Sequence, residues 1–171
     1  VEVCAEASTQ SGKIVEAVNF NAPGQIVIAG ATEAVAKACE MLKAAGAKRA
    51  LPLPVSAPFH SSLLKPASEK LKAYLEGIEF HAPIIPVINN VDVAILDNPL
   101  AIKDALVRQA AKPVRWQETI RAMSTRGVKH VVECGPGKVL SGLTKRIDDQ
   151  LRGMALMDEP SLLEVLQTLK T

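Results

Sequence analysis

The chain has 171 residues, of which 48% are hydrophobic and 22% charged, and this composition excludes a disordered or collagen-like polypeptide. The 20 Lys and Arg residues against 18 Asp and Glu residues leave a net charge of +2, which argues against a nucleic-acid-binding protein. Aromatic residues make up only 3% of the chain, so the interior has to be packed with aliphatic side chains, which favours an α/β domain with helices on a parallel sheet.

The first third of the chain is predicted to form a β-β-α-β unit. Residues 13–20 and 25–29 are short apolar, β-branched segments separated by a turn sequence, which predicts a β-hairpin. Thr32 is expected to cap a helix that stops at Gly46, because apolar residues recur between them at intervals of three and four. Residues 49–55 are expected to form a strand at a sheet edge, since two prolines remove two of its backbone donors.

From residue 56 onward the pattern changes to helices alternating with short buried strands, which is typical of a parallel sheet. The predicted helices are 64–75, 99–110, 116–124, 138–147 and one that starts at residue 161, and the predicted strands are 84–91, 128–133 and 154–157. This change predicts two domains, residues 1–55 and residues 56–171.

The three cysteines, Cys4, Cys39 and Cys134, are widely spaced, and no two of them form a C-x-x-C pair. Their spacing argues against a disulfide framework or a zinc site and favours a reducing compartment. No apolar run approaches the ~20 residues that span a bilayer, and no charged segment followed by an apolar one opens the chain. We therefore expect a cytoplasmic protein that has no membrane partner.

A glycine-rich turn stands late in the chain. Gly135, Pro136 and Gly137 precede a predicted helix, and the unpaired first amides of a helix attract anions. The turn is not a P-loop, because Val139 stands where a magnesium-binding Ser or Thr is required, and Leu140 replaces the last glycine of a dinucleotide motif. The favoured interpretation is a tight structural turn rather than a phosphate site.

His60 is the histidine whose position best fits catalysis. It lies where a β segment or loop meets a helix, just before Ser61 and Ser62, and sheet enzymes place reactive side chains at such ends. A histidine in this position more often has a structural hydrogen bond, and from the residues alone both readings stay open. His81 and His130 are expected to be structural.

No nucleophile for His60 can be identified in this sequence. None of its serines stands in a G-x-S-x-G elbow, the strained turn that exposes a hydroxyl at the start of a helix. Cys39 lies on a helix face and Cys134 follows a strand, so both are expected to pack rather than react. A general base without a nucleophile is not a complete catalytic site.

Five ordered motifs resemble the malonyl-CoA:acyl carrier protein transacylase family of bacterial fatty acid synthesis. They are NFNAPGQIVIAG (19–30), AKRALPLPVSAPFH (47–60), VINNVD (87–92), ALVRQ (105–109) and ECGPGKVL (133–140). They are spread over nearly the whole chain, and the resemblance covers roughly the C-terminal half of the family's chain.

The resemblance implies a fold with two parts. Residues 1–55 match an incomplete ferredoxin-like small subdomain in which residues 1–7 end a helix. Residues 56–171 match the C-terminal part of a large subdomain that is similar to an α/β-hydrolase core. The missing N-terminal half of such a protein is then expected to be present in the native molecule as a partner of this chain.

The resemblance also implies ping-pong acyl transfer, in which a serine takes malonyl from coenzyme A and passes it to the phosphopantetheine thiol of acyl carrier protein. His60 matches the catalytic histidine, and Gln109 matches the residue whose backbone carbonyl accepts the second imidazole N–H. Asn21 matches a residue that contacts substrate or water, and Phe59 a pocket residue that leaves less room for an α-methyl branch. The serine belongs to a G-H-S-L-G elbow outside this sequence, and coenzyme A thioester is a substrate, so no cofactor or metal is expected.

Malonyl-CoA and acyl carrier protein are the partners that the resemblance implies. Carrier protein is acidic, and eight basic residues are candidates for its docking: Lys43, Lys48, Arg49, Arg108, Lys112, Arg115, Lys145 and Arg146. Two alternatives stay open, namely a non-catalytic module that binds carrier protein and an acyl hydrolase that uses His60 with water. Without the serine, we expect this chain alone to show no transacylase activity.

Overall fold

The computed structural model describes residues 1–170 and confirms the predicted α/β class. The helices are α1 (Glu2–Ser11), α2 (Thr32–Ala44), α3 (Lys65–Glu76), α4 (Pro99–Ala110), α5 (Trp116–Thr125), α6 (Val139–Ile147) and α7 (Glu159–Leu169), with a short 3₁₀ turn at Ser62–Leu64. The strands are β1 (Val15–Ala22), β2 (Gln25–Gly30), β3 (His130–Cys134) and β4 (Arg152–Leu156).

The chain folds into two compact units. The first comprises residues 1–20 and 26–115, and the second comprises residues 21–25 and the chain from residue 116 onward. The division at residue 55 and the incomplete ferredoxin-like subdomain before it stay predictions.

The N-terminal part of the first unit has a core of small side chains. Strands β1 and β2 form the predicted hairpin, and the following helix is α2, for which Ala31 rather than Thr32 is the N-cap residue. Helices α1 and α2 pack against each other, and small residues let two helix backbones approach closely. The buried residues of this core are Cys4, Ala7, Val15, Ala34 and Ala38.

Two predicted strands, 49–55 and 84–91, are absent from the first unit. Residues 49–55 are irregular, and the side chains of Leu51 and Val55 are 68% and 65% exposed. In residues 84–91 a single isolated bridge joins Ile88 to Ile95, and Ile84 is fully exposed. A strand needs a neighbour for its N–H and C=O groups, and no strand within residues 1–170 pairs with either segment.

The second unit is built on a parallel pair of strands, β3 and β4, with α6 as the crossover between them. The register pairs His130 with Arg152 and Cys134 with Leu156. The prediction that β3 is a buried strand is wrong, because its first and last residues are exposed. The Cys134 thiol therefore lies in solvent instead of packing as expected, whereas Cys39 is half-buried.

None of the helices within residues 1–170 is long and apolar enough to cross a membrane. These residues hold no group of three or more His, Cys, Asp or Glu side chains that could bind a metal ion. All three cysteines are free thiols. The cytoplasmic location and the reducing compartment stay predictions.

Candidate active site

His60 is held in an unusual backbone conformation. Its φ angle is 63°, in the left-handed region that a residue with a Cβ atom seldom adopts and that often marks functional positions. The next residue, Ser61, is fully buried and its Oγ donates to the carbonyl oxygen of Pro58 at 2.7 Å. The backbone N–H of Ser62 donates to the Glu16 carboxylate at 2.6 Å. The chain is therefore fixed on both sides of the His60 ring.

The His60 ring meets the C-terminal end of α4. Its Nδ1 atom lies 2.9 Å from the backbone carbonyl oxygen of Gln109, the contact that the resemblance implies. Carbonyl groups in the last turn of a helix have no partner within the helix, so the Gln109 carbonyl is available as an acceptor. Nδ1 must then carry the proton, and the Nε2 lone pair of a neutral imidazole is left to act as a base.

Helix α4 is itself well anchored. Pro99 stands at its first turn, and the Asn98 side chain accepts from the N–H groups of Leu100 and Ala101 at 2.9 and 3.1 Å. Near the other end, the buried Ser68 of α3 donates from Oγ to the Val107 carbonyl oxygen at 2.6 Å. Both ends are thus fixed, and with them the carbonyl that holds His60.

An ion-pair cluster next to Gln109 was not predicted from the sequence. Arg108 binds Asp92 with both terminal nitrogens, at 2.6 and 2.7 Å, and Asp104 with Nε at 2.6 Å. The Arg108 hydrogen bonds hold the pKa of the Asp92 carboxyl below its usual range, and Asp92 and Asp104 raise the pKa of Arg108. Arg108, a candidate for carrier docking, is therefore already bound by two carboxylates. The only sequence signal for this cluster is that VINNVD and ALVRQ, which contain Asp92 and Arg108, are two of the five motifs that carry the family resemblance.

Phe59 and Asn21 are the other two residues that the sequence predicts for the site. The Phe59 side chain is 53% exposed, which leaves its ring accessible beside His60 in the chain. Asn21 lies in β1 and is half-buried. It belongs to the second unit, although most of β1 belongs to the first. The structure brings together His60 and Gln109, and the roles of all four residues stay predictions.

A pocket of about 230 Å³ lies within the first unit, and Gln109 is one of its lining residues. His81 and Asn89 are among its polar residues. Its apolar wall includes Phe80, Val87, Leu96, Ile102 and Leu106. His81 thus lies at a pocket wall, whereas His130 is exposed at the start of β3.

The glycine-rich turn before α6 holds a carboxylate of its own chain. The N–H of Ser141 donates to Glu133 Oε2 at 2.8 Å, and hydrogen bonds from Ser141, Leu140 and Val139 lower the pKa of Glu133. A carboxylate at a helix N-terminus meets the same amides that would bind a phosphate. The structural interpretation of this turn therefore fits better than an anion site.

The chain is similar to known proteins over nearly its whole length. No family model matches the chain. The chain is 56% identical over 160 residues to the malonyl CoA-acyl carrier protein transacylase of Escherichia coli K12, covering 94% of this chain and 51% of that protein. The Bacillus subtilis 168 protein of the same name is 44% identical over 162 residues, covering 95% of this chain and 51% of that protein. The chain thus spans about half the length of the curated relatives it matches.

Two solved structures superimpose closely. The acyl-carrier-protein S-malonyltransferase from Burkholderia pseudomallei 1710b has a TM-score of 0.94 at 63% identity, covering 97% of this chain and 53% of that one. A malonyl-transacylase in complex with its type II PKS acyl-carrier protein has a TM-score of 0.95 at 53% identity, covering 98% and 53%. At sequence identities of 63% and 53%, the chain resembles these proteins in sequence as well as in fold.

Proposed function

Because the chain is homologous to malonyl CoA-acyl carrier protein transacylases over 94% of its length, we propose that it supplies the histidine side of an acyltransferase active site. The reaction is transfer of a malonyl group from coenzyme A to the phosphopantetheine thiol of acyl carrier protein. One observation carries the proposal: His60 Nδ1 lies 2.9 Å from the Gln109 carbonyl oxygen, which leaves Nε2 free to take a proton.

The proposed mechanism has two symmetric half-reactions. A serine hydroxyl attacks the malonyl thioester carbonyl while His60 Nε2 accepts its proton, and the imidazolium returns that proton to the departing coenzyme A thiolate. In the second half, Nε2 takes the proton of the carrier thiol as it attacks the malonyl ester, and gives it back to the serine oxygen. The serine comes from the part of a full-length relative that this chain does not span.

The partner of the imidazole suits this chemistry. A backbone carbonyl orients the ring through Nδ1 but stabilises imidazolium less than a carboxylate does. That is adequate when the attacking group in the second half is a thiol, because a thiol ionises far more readily than a hydroxyl. The partial negative charge at the end of α4 adds to the stabilisation of the ring proton.

Two further residues have proposed roles in substrate binding. Phe59 narrows the acyl pocket beside His60, and a ring at this place disfavours an α-methyl branch by about 1–3 kcal/mol, the discrimination that one methyl group allows. Asn21 contacts substrate or an ordered water molecule. Coenzyme A thioester serves as substrate, and the proposed steps call on no cofactor.

A hybrid enzyme tests the proposal directly. This chain replaces the aligned half of the Burkholderia pseudomallei enzyme, which is 63% identical to it, and transfer of radiolabelled malonyl from coenzyme A to carrier protein is measured. We expect transfer within about tenfold of the parent enzyme, because the histidine side of the site is complete. The isolated chain is assayed in parallel and is expected to show no transfer, because its sequence holds no serine elbow.

The other outcomes of this assay separate the alternatives. A folded hybrid that binds carrier protein but transfers nothing would favour a non-catalytic binding module. Release of free malonate at equal rates with and without the thiol acceptor would favour a hydrolase. Circular dichroism and the melting temperature of the hybrid show whether it has folded, so that an inactive hybrid is not mistaken for a misfolded one.

The exposed basic residues at the end of α6 test the carrier-protein partner. Lys145 and Arg146 lie in the last turn of this helix, and the Arg146 guanidinium also donates to the Gln25 side chain. Changing both to Glu in the hybrid is expected to slow transfer to the acidic carrier about tenfold at low salt and less at high salt. Serine loading from malonyl-CoA should stay unchanged. Equal loss in both half-reactions would contradict docking at this site.

A further inference from the structure

A double ion pair fixes the end of α4 that holds His60. The Arg108 guanidinium binds both carboxylate oxygens of Asp92, at 2.6 and 2.7 Å, and its Nε atom binds Asp104 one helical turn earlier at 2.6 Å. A planar guanidinium that uses both terminal nitrogens on one carboxylate fixes orientation as well as distance. The pair therefore fixes the direction of α4's last turn relative to Asp92.

Asp92 stands in a turn, residues 89–94, that has little freedom of its own. Asn89 Oδ1 accepts from the Asp92 N–H at 2.7 Å, and both the backbone N–H and the side-chain amide of Asn89 donate to the Ala94 carbonyl oxygen, at 3.0 and 2.9 Å. Val93 has a φ angle of 57°. A β-branched residue adopts this conformation only where its surroundings impose it. The 89–94 turn is thus a rigid base for the ion pair.

Gln109 connects this turn to the catalytic ring. Its side-chain Oε1 accepts from the Asn90 N–H at 3.2 Å, and its backbone carbonyl accepts from His60 Nδ1. The residue that orients His60 is consequently attached to the 89–94 turn twice, through its own side chain and through its neighbour Arg108.

Stability alone does not account well for the pair. The side chains of Arg108 and Asp92 are 37% and 33% exposed, and an ordinary ion pair this exposed contributes little to the free energy of unfolding. What distinguishes this pair is its bidentate geometry, which fixes the orientation of the last turn of α4. Resting on the function proposed above, we propose that Asp92 and Arg108 are positioning residues. They hold the Gln109 carbonyl where it keeps the proton on Nδ1 of His60, so that Nε2 is the basic nitrogen.

The tautomer of His60 tests this without substrate and without activity. In this chain labelled with ¹⁵N-histidine, the ring ¹⁵N shifts at alkaline pH, where imidazole is neutral, report the ratio of Nδ1–H to Nε2–H. We expect Nδ1–H to prevail in the unmodified chain. In Asp92→Ala the ratio should fall about five- to tenfold, the effect of losing roughly one hydrogen bond. Arg108→Lys keeps the positive charge but loses the two-nitrogen contact with Asp92, and it should lower the tautomer ratio as well.

A matched control removes a different ion pair of the same unit. Lys13 binds Glu33 at 2.6 Å with both side chains exposed, so Glu33→Gln should leave the tautomer ratio unchanged. An unaltered ratio in folded Asp92→Ala and Arg108→Lys proteins, or an equal fall in Glu33→Gln, would overturn the proposal. If Asp92→Ala does not fold, Arg108→Lys decides alone. A hybrid enzyme that transfers no malonyl while the tautomer responds as expected would refute the proposed function and leave the positioning role standing.

Discussion

Replacing His60 with alanine is expected to lower malonyl transfer by the hybrid enzyme by about 10²- to 10⁴-fold, the range that a general base contributes. Both half-reactions should fall together, because the same Nε2 atom takes the proton of the serine in one and of the carrier thiol in the other. The rates of serine loading and of transfer to carrier protein are measured separately. Added imidazole should restore part of the activity, since the space vacated by the ring admits a small base.

His130→Ala is the matched control for this change. Its ring is exposed at the start of β3, so its loss should alter the transfer rate by less than about twofold and leave folding intact. If His60→Ala retained more than a fifth of the activity, or if the two variants lost activity equally, His60 would not be the base. Rescue by imidazole separates a lost base from a distorted fold, because imidazole cannot repair the latter.

Elements with their own local signals could be predicted from the sequence. Helix α4 begins and ends as predicted at residues 99 and 110, because Asn98 caps it and Pro99 is preorganised for a first turn. The apolar run at 84–91 failed as a prediction. Its composition is that of a buried strand, but whether it pairs depends on a neighbouring strand that the segment itself does not encode.

The contacts of the candidate site could not be predicted from local sequence signals. His60 and Gln109 are 49 residues apart, and no spacing rule connects them, so only the resemblance to a family placed them together. The pair of Asp92 and Arg108 spans 16 residues between a turn and a helix, and charges on irregular segments carry no periodicity that would reveal a partner. Local sequence patterns thus predicted helix α4, which carries Gln109 and Arg108. The contacts that these two residues make depend on tertiary structure.

Gly30→Ala is expected to destabilise the chain by about 3 kcal/mol or more, the upper range for overpacking. A methyl group at this position would lie 2.1 Å from the carbonyl oxygen of Ile14 and 2.6 Å from Cα of Val15. Both are backbone atoms, so neither can turn aside as a flexible side chain would. The Ile14 carbonyl also accepts from the Ala31 N–H at 2.8 Å, and moving it apart from β2 would break that bond.

The effect should reach the site through β1. Val15 is buried in the small-residue core, and the next residue, Glu16, holds the Ser62 N–H beside His60. Thermal unfolding followed by circular dichroism should show a melting temperature lowered by about 6–12 °C, at roughly 2–4 °C per kcal/mol for a chain of this size. Gly77→Ala is the control, because Gly77 has a φ angle of −82° and nothing within 4 Å of an added methyl group. Equal melting temperatures for the two variants would mean that the backbone at Ile14, just before β1, can move away from Gly30. The contact from Glu16 to Ser62 would then not depend on the close approach at Gly30.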